Sequence, residues 1–414
     1  MSFYLNYPIN PIIDSIFCEY KYYNKCCNII LIFIFFYIIS FSYYPYLIYN
    51  KYVHDCQKGK KYFKNFPFHN HDLYYLSICI PVYNMEKYIE NSLLSILNQS
   101  FQHFEIILVN DNSNDKTIEI INKFQINDDR IKVINHQKKL GVYCARKDAI
   151  LNANGDFILM MDPDDLFLNQ DLFKELYNNN LKYNLDITEF LVYNQEENNK
   201  TIYFSSDHIF NHWHNYSKTI IYQPELSNII FYKPQSHNIT SIFCRTIWNK
   251  LIRKNIMIKA VNYVEKTFKS RFLITADDTP LNIMVFNFAS NYSNIKIPGY
   301  LYIKKKVSMS RGQHIKELDE IRGFNFYLYY KFFLRYIKEY NKDINYFFSD
   351  FNGFHHDLYK IKNLNITYYI PKAIKFFNNL LKIDNIPKKS KIIVEKLLLH
   401  FKRDTLHKKV KMNL

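Results

Sequence analysis

The apolar positions of the chain change period several times, and the changes outline its elements. From Leu76, LSICIPV is a short unbroken apolar run, after which Ile89, Leu93, Leu94 and Leu97 fall at helical spacing within Glu86 to Asn98. FEIILVN at 104–110 is a second run of the first kind. The polar turn DNSNDKT follows it, and Ile118, Ile121 and Phe124 then mark a helix. RIKVINH at 130–136 repeats the strand pattern, Val142 to Ala153 the helical one, and DFILMMD at 156–162 is a fourth strand. Strands apolar on both faces, alternating with helices through short links, predict parallel strands covered by helices in an α/β fold. In such sheets ligands bind beyond the carboxyl ends of the strands, here the loops after Val82, Asn110, His136 and Met161.

Outside this block the pattern is different. NIILIFIFFYIISFSYY, from Asn28 to Tyr44, is uncharged and continuously apolar. About 20 such residues cross a bilayer, so a single transmembrane helix is expected over 28–48, with a tail at 1–27 and a basic stem at 49–75. A cleaved signal peptide fits less well, because a polar lead precedes the run and no small-residue cleavage site closes it. Residues 195–240 read as an inserted surface loop, whose His208, His212, His214 and His237 match no standard metal spacing. Residues 313–414 read as a helical extension. Within it Ile392, Val394, Leu397, Leu398 and Phe401 form a stripe suited either to an anionic membrane surface or to packing on the domain.

The formal charge of +16 suggests a polyanionic partner. Lysine outnumbers arginine 45 to 9, however, and base readout leans on arginine, so nucleic acid is not an expected partner. Seven cysteines form no Cys-x-x-Cys pair, and Cys79 and Cys144 lie in apolar surroundings that suit small core residues. With only seven glycines and no Gly-x-Gly-x-x-Gly, a dinucleotide-binding turn and a Walker-type phosphate loop are excluded.

Carboxylates stand where ligands would bind. Asp111 ends the second strand and suits either a contact to a nucleobase N–H or a turn and helix cap. Asp162, Asp164 and Asp165 follow the fourth strand within four residues. Like charges this close repel, and a hard cation such as Mg2+ or Mn2+ sharing its shell with phosphates would neutralise them. The plainer reading is an Asp-Pro-Asp turn leading into a helix near Asn169 to Tyr183. Asp277 and Asp278, before a helix with Pro280 in its first turn, read as favourable N-terminal charge or as a general base. Arg146, taken alone, reads as well as a solvated helix residue, and Trp248 as a core residue.

Together, SICIPVYNMEKYIENSLLSILNQS, FEIILVNDNSNDKT and GVYCARKDAILNANGDFILMMDPDD resemble the family 2 glycosyltransferases over roughly 76–312. The resemblance implies the GT-A nucleotide-sugar fold, a Rossmann-like, mostly parallel sheet between helices. It places Pro81 and Tyr83 beside the nucleoside, Asp111 on its base and Arg146 near the nucleotide. Asp164 and Asp162 would serve the metal, with Asp162 also near the ribose, and Asp165 would either support these groups from behind or contact the donor sugar. TIWNKLIRKNIM is similar to a family segment that puts Trp248 and Lys250 on the acceptor side. Asp277-Asp278 resembles a Glu-Asp pair whose second acid is the base in inverting members, and in the closing IPGYLYIKKKVSMSR, Lys304 to Lys306 and Ser308 would help hold the diphosphate. No Gln-x-x-Arg-Trp is present, so a processive synthase is not expected. The implied protein is a non-processive, inverting transferase using Mn2+ or Mg2+, a nucleotide-sugar donor, UDP-linked first of all, and a glycan, lipid or protein acceptor. The alternative is an inactive binder of the same fold. The lysines after 48 favour a cytosolic catalytic domain, whereas a short tail and single anchor suit a Golgi or ER lumen.

Overall fold

The computed structural model describes residues 75–197, 201–204, 220–223, 226, 246–269, 278–305, 316–342, 347, 370–384 and 386–412. The expected membrane span at 28–48 and the histidines of the insertion lie outside these residues. Among the described residues no helix is long and apolar enough to cross a membrane.

The first half alternates as its periodicity predicts. Strand β1 (Leu76–Val82) leads to α1 (Ile89–Leu97), β2 (Phe104–Asn110) to α2 (Thr117–Asn127), and β3 (Ile131–Asn135) to α3 (Val142–Leu151). β4 (Phe157–Met160), β5 (Leu166–Phe167) and α4 (Leu172–Tyr183) follow. Every residue of β1 and β2 is buried, because helices cover both faces and leave no position for a polar alternate. α1 turns Ile89, Leu93 and Ile96 inward, and α3 packs across β1 and β2.

The second half adds short antiparallel strands to a sheet that stays parallel-rich. It contributes β6 (Ile187–Glu196), β7 (Ile202–Phe204), β8 (Ile221–Tyr222), β9 (Lys250–Arg253) and β10 (Asn291–Lys304), with β10 parallel to β6 over its length. The order is β3-β2-β1-β4-β9-β6-β10-β5, with β7 beside β6 and β8 beside β10. β3, β2, β1 and β4 run parallel, but β9 lies antiparallel between β4 and β6, and β5 runs antiparallel to β10. Four residues of β9 and two of β5 are too few for a periodic signal, which is why the sequence pattern missed them. The start of the supposed loop at 195–240 is the hairpin of β6 and β7.

Helices α5 (Lys254–Phe268) and α6 (Asp278–Phe288) cover the second half, and α7 (Lys316–Glu339) packs on both. The Tyr263 hydroxyl on α5 donates to Glu339 at 2.5 Å, and the Tyr263 ring meets Phe332 edge-on. α8 (Ile370–Leu380) and α9 (Lys388–Met412) pair with each other. On α9 the buried stripe is Ile393, Val394, Leu397 and Leu398, whereas the expected Ile392 is exposed. That face is used for packing within the protein.

At the amino ends of the strands a fully buried Glu105 fastens three segments. Its carboxylate accepts from Ser77 Oγ at 2.6 Å, Lys132 Nζ at 2.8 Å and the Asn154 amide at 2.6 Å. Gly155 passes so close that a Cβ there would sit 2.7 Å from the Leu76 carbonyl carbon. Burial pushes the Glu105 carboxyl up, but the bonds from Lys132, Ser77 and Asn154 outweigh it and hold the group below the usual 4.5. A depressed folded value gives stability that is full above 4.5 and lost as pH falls through the folded value. Urea midpoints should therefore drop on acidification from pH 7 to 4, and Glu105→Gln should lower the midpoint at pH 7 and flatten that dependence.

Candidate active site

The loops after β1 and β2 are laced together. Asn84 donates its backbone N–H to Ser113 Oγ at 3.0 Å, and its side-chain oxygen accepts from the Asn114 N–H at 2.9 Å. Thr117 Oγ1 accepts from the Met85 N–H at 2.7 Å. Asn84 and Asn112 take left-handed backbone, at φ 54° and 62°, which asparagine tolerates better than most residues. These bonds fix the ends of both strands, and with them the neighbouring Pro81, Tyr83 and Asp111. Pro81 is buried within β1, in register with Val109, while Tyr83 is half-buried with Lys139 Nζ 3.4 Å above its ring.

Asp111 is buried beyond β2, and its carboxylate faces the start of α3. Oδ2 accepts from the Gly141 N–H at 2.8 Å, and Oδ1 from the Leu140 N–H at 2.7 Å. The negative charge is favourable at a helix N-terminus. Gly141 holds φ at 93°, a conformation that needs glycine. The His136 ring completes the arrangement, with Nδ1 2.8 Å from Asp111 Oδ1 and Nε2 3.0 Å from Asp148 Oδ2. The sequence pattern marked His136 as a strand end but did not single out its side chain. Its place between the strand-end Asp111 and Asp148 of α3 arises from the pairing of β2 with β3 and the packing of α3 beside them.

The three aspartates after β4 have separate surroundings. Asp162 donates its N–H to the Tyr300 hydroxyl at 3.0 Å, and its Oδ1 accepts from Arg146 Nη2 at 2.8 Å. Asp164 pairs with Lys305 Nζ at 2.6 Å, and that ammonium also lies 3.4 Å above the Tyr88 ring. Tyr88 donates to Glu197 Oε1 at 2.6 Å, a bond that with burial pushes the phenol up to about 12. Asp165 is buried and accepts from the Ile303 N–H at 2.8 Å, joining the loop to β10. Burial, then the charges of Asp164 and Asp162, push its carboxyl well above the usual range. Asp165 thus packs beneath the site rather than opening into it.

Arg146 reaches from α3 to both edges of the cleft. It bonds Asp162 with one nitrogen and Asp278, at the start of α6, with the other. Asp162 and Asp278 keep 26% and 21% of their side-chain surface exposed, so ligands can reach both, whereas Arg146 is 7% exposed. Trp248 is buried, stacked on Tyr300 at 4.4 Å between centroids and on Tyr302 at 5.7 Å. Lys250, expected on the acceptor side, is fully buried. Its ammonium donates to the Thr246 carbonyl at 2.7 Å and to Asn249 Oδ1 at 2.6 Å, and lies 3.7 Å from Glu189. It locks β9 to β6 from within the sheet. Asp277, Lys306 and Ser308 lie outside the described residues, while Lys304 lies with Nζ 5.2 Å above the Tyr203 ring.

Buried cysteines take no part. Burial pushes the Cys144 thiol up to about 11 and the Cys79 thiol further.

Asp162 and Asp164 are the acids that could hold a hard divalent cation. Among the described residues no group of three His, Cys, Asp or Glu side chains makes a cage. Asp164 and Asp162 therefore offer one or two carboxylate oxygens, which suits an ion that completes its shell with water and substrate phosphate. Lys305 and Arg146 balance those charges.

Strand-end acids gather at the carboxyl edge of a parallel block, with a further acid facing them from α6, which is where open α/β sheets bind ligands. Residues 77–258 match the family model described as glycosyl transferase family 2. An uncharacterized glycosyltransferase of Haemophilus influenzae is 44% identical over 101 residues, covering 24% of this chain and 40% of that protein. The uncharacterized glycosyltransferase EpsJ of Bacillus subtilis is 28% identical over 245 residues, covering 59% of this chain and 65% of its own. The chain thus spans less than two thirds of each of these relatives. A crystal structure of S. aureus TarS in complex with UDP-GlcNAc is similar at a TM-score of 0.46 and 17% identity, over 80% of this chain and 88% of that one. That likeness is too distant to bear on function.

Proposed function

We propose that this protein transfers a sugar, with inversion and without processivity, from a nucleoside-diphosphate donor, UDP-linked first of all, to a hydroxyl of a glycan, lipid or protein acceptor. The observation that carries the reading is the Arg146 bridge, which sets Asp278 across the cleft from Asp162 and the rest of the strand-end acids.

Tyr83 and Asp111 lie where the nucleoside would dock, and Asp162 and Asp164 where its diphosphate would. A bound Mg2+ or Mn2+ would supply Lewis-acid stabilisation of charge on the departing diphosphate. Asp278 accepts the proton of the acceptor hydroxyl as its oxygen forms the new bond to the anomeric carbon. The bond from that carbon to the diphosphate oxygen breaks, and the nucleoside diphosphate leaves with the electron pair. Arg146 orients Asp278, and Lys305 moves from Asp164 to the diphosphate when the donor arrives. The apolar run at 28–48 supports a single membrane anchor for this domain.

A thermal-shift panel of nucleotide-sugars on the full chain in detergent, with Mn2+, Mg2+ or a chelator, tests the proposal. A ligand at 100 times its Kd stabilises by about 2.7 kcal/mol, so a UDP-sugar with cation should raise the midpoint by roughly 5–10 °C. The chelator and Asp164→Ala should each remove most of that shift. No shift and no donor turnover with any nucleotide-sugar would reject the reading.

A further inference from the structure

An Asp111 meant only to meet a nucleobase would not need the restraint it has. An ionised carboxylate offers about four acceptor positions. The Leu140 N–H, the Gly141 N–H and the His136 ring take three of them. Oδ1 is filled by two partners, while Oδ2 has Gly141 alone, so about one position remains, on Oδ2. His136 is in turn held from its far side by Asp148, and its ring is only 6% exposed. With its hydrogen on Nδ1 the ring donates to Asp111, which is thereby kept in one orientation and in the acceptor role. The backbone restrains His136 as well, because its N–H donates to the Asn110 carbonyl at 2.9 Å and extends the β2–β3 ladder.

We propose that His136, braced by Asp148, is a positioning residue that keeps Asp111 an acceptor with a single open position. The site then selects a pyrimidine carrying an imide N–H, uracil, over cytosine, whose ring nitrogen at the same place is itself an acceptor. This deepens the nucleotide-sugar reading and rests on it. His136 touches neither sugar nor acceptor; it acts through Asp111. Without it Asp111 keeps its two backbone donors but gains a second open position and freedom to turn.

The test compares UDP with CDP, two ligands of equal charge and nearly equal size, by calorimetry on the intact chain at one Mn2+ concentration. The parent should prefer UDP by about 10- to 100-fold, the worth of one charge-assisted hydrogen bond. In His136→Ala that preference should collapse through weaker UDP binding, with CDP binding little changed. In turnover the loss should fall on the donor KM rather than on kcat. His136→Gln, which keeps one donor toward Asp111, should restore part of the preference. Asp148→Asn, at a side chain still 32% exposed, should lie between parent and alanine variant, and it decides the matter if His136→Ala does not fold. A parent that binds CDP as tightly as UDP overturns the proposal, and so does an unchanged UDP:CDP ratio in the variants that fold. A parent that binds no nucleoside diphosphate at all rejects the nucleotide-sugar reading itself, a different result from binding with unchanged selectivity.

Discussion

Asp278→Asn should reduce sugar transfer by on the order of 100- to 10,000-fold, the usual contribution of a general base, while leaving UDP binding near the parent value. The expectation follows from what the substitution keeps. An asparagine has the same shape and retains an oxygen for Arg146, so the bridge to α3 survives and only the proton acceptor is lost. Initial rates at saturating donor and acceptor, with calorimetric UDP affinity on the same preparation, separate the two effects. A variant that retains transfer within a few-fold of the parent would remove Asp278 from the base role, and the same measurement on Asp277→Asn then assigns it. From the residues alone the two acids read alike, and only the family resemblance favoured the second, Asp278. Arg146 touches Asp278 directly.

Arg146→Met should cost both stability and turnover. Methionine fills much of the volume but leaves Asp162 and Asp278 facing each other without the charge that joins them. Removing one member of a buried ion pair costs about 3–5 kcal/mol. Because both carboxylates keep some solvent exposure, the lower end applies, and the thermal midpoint should fall by roughly 5–10 °C. The double variant Arg146→Met with Asp278→Asn should recover part of that midpoint, because the repulsion is then relieved, yet stay inactive. A single variant with an unchanged midpoint would mean that the bridge does not hold the cleft.

Much of the parallel block was legible from the chain alone. Unbroken apolar runs such as LSICIPV and FEIILVN require burial on both faces, and the polar residues that end them fall at one edge of the sheet. The strand-end acids were legible for the same reason. Less visible were features that depend on pairing between distant segments. The resemblance puts Lys250 on the acceptor side, whereas the antiparallel insertion of β9 between β4 and β6 buries it beside Glu189. Asp165 reads as a third member of an open acidic cluster until β10 brings the Ile303 N–H to it. His136 required the β2–β3 register before its side chain acquired a partner. Each is a fact of tertiary neighbourhood, which periodicity does not encode.

The family match ends at residue 258, yet Asp278, Tyr300, Ile303 and Lys305 all come from beyond it and meet the acids that lie within it. A chimera spliced at that boundary would keep the nucleoside loops and forfeit the opposite wall of the cleft. Under the proposed function, the nucleoside contacts would travel with residues 77–258, whereas the base and the cation beside Asp164 would travel only with α6 and β10 as one cassette.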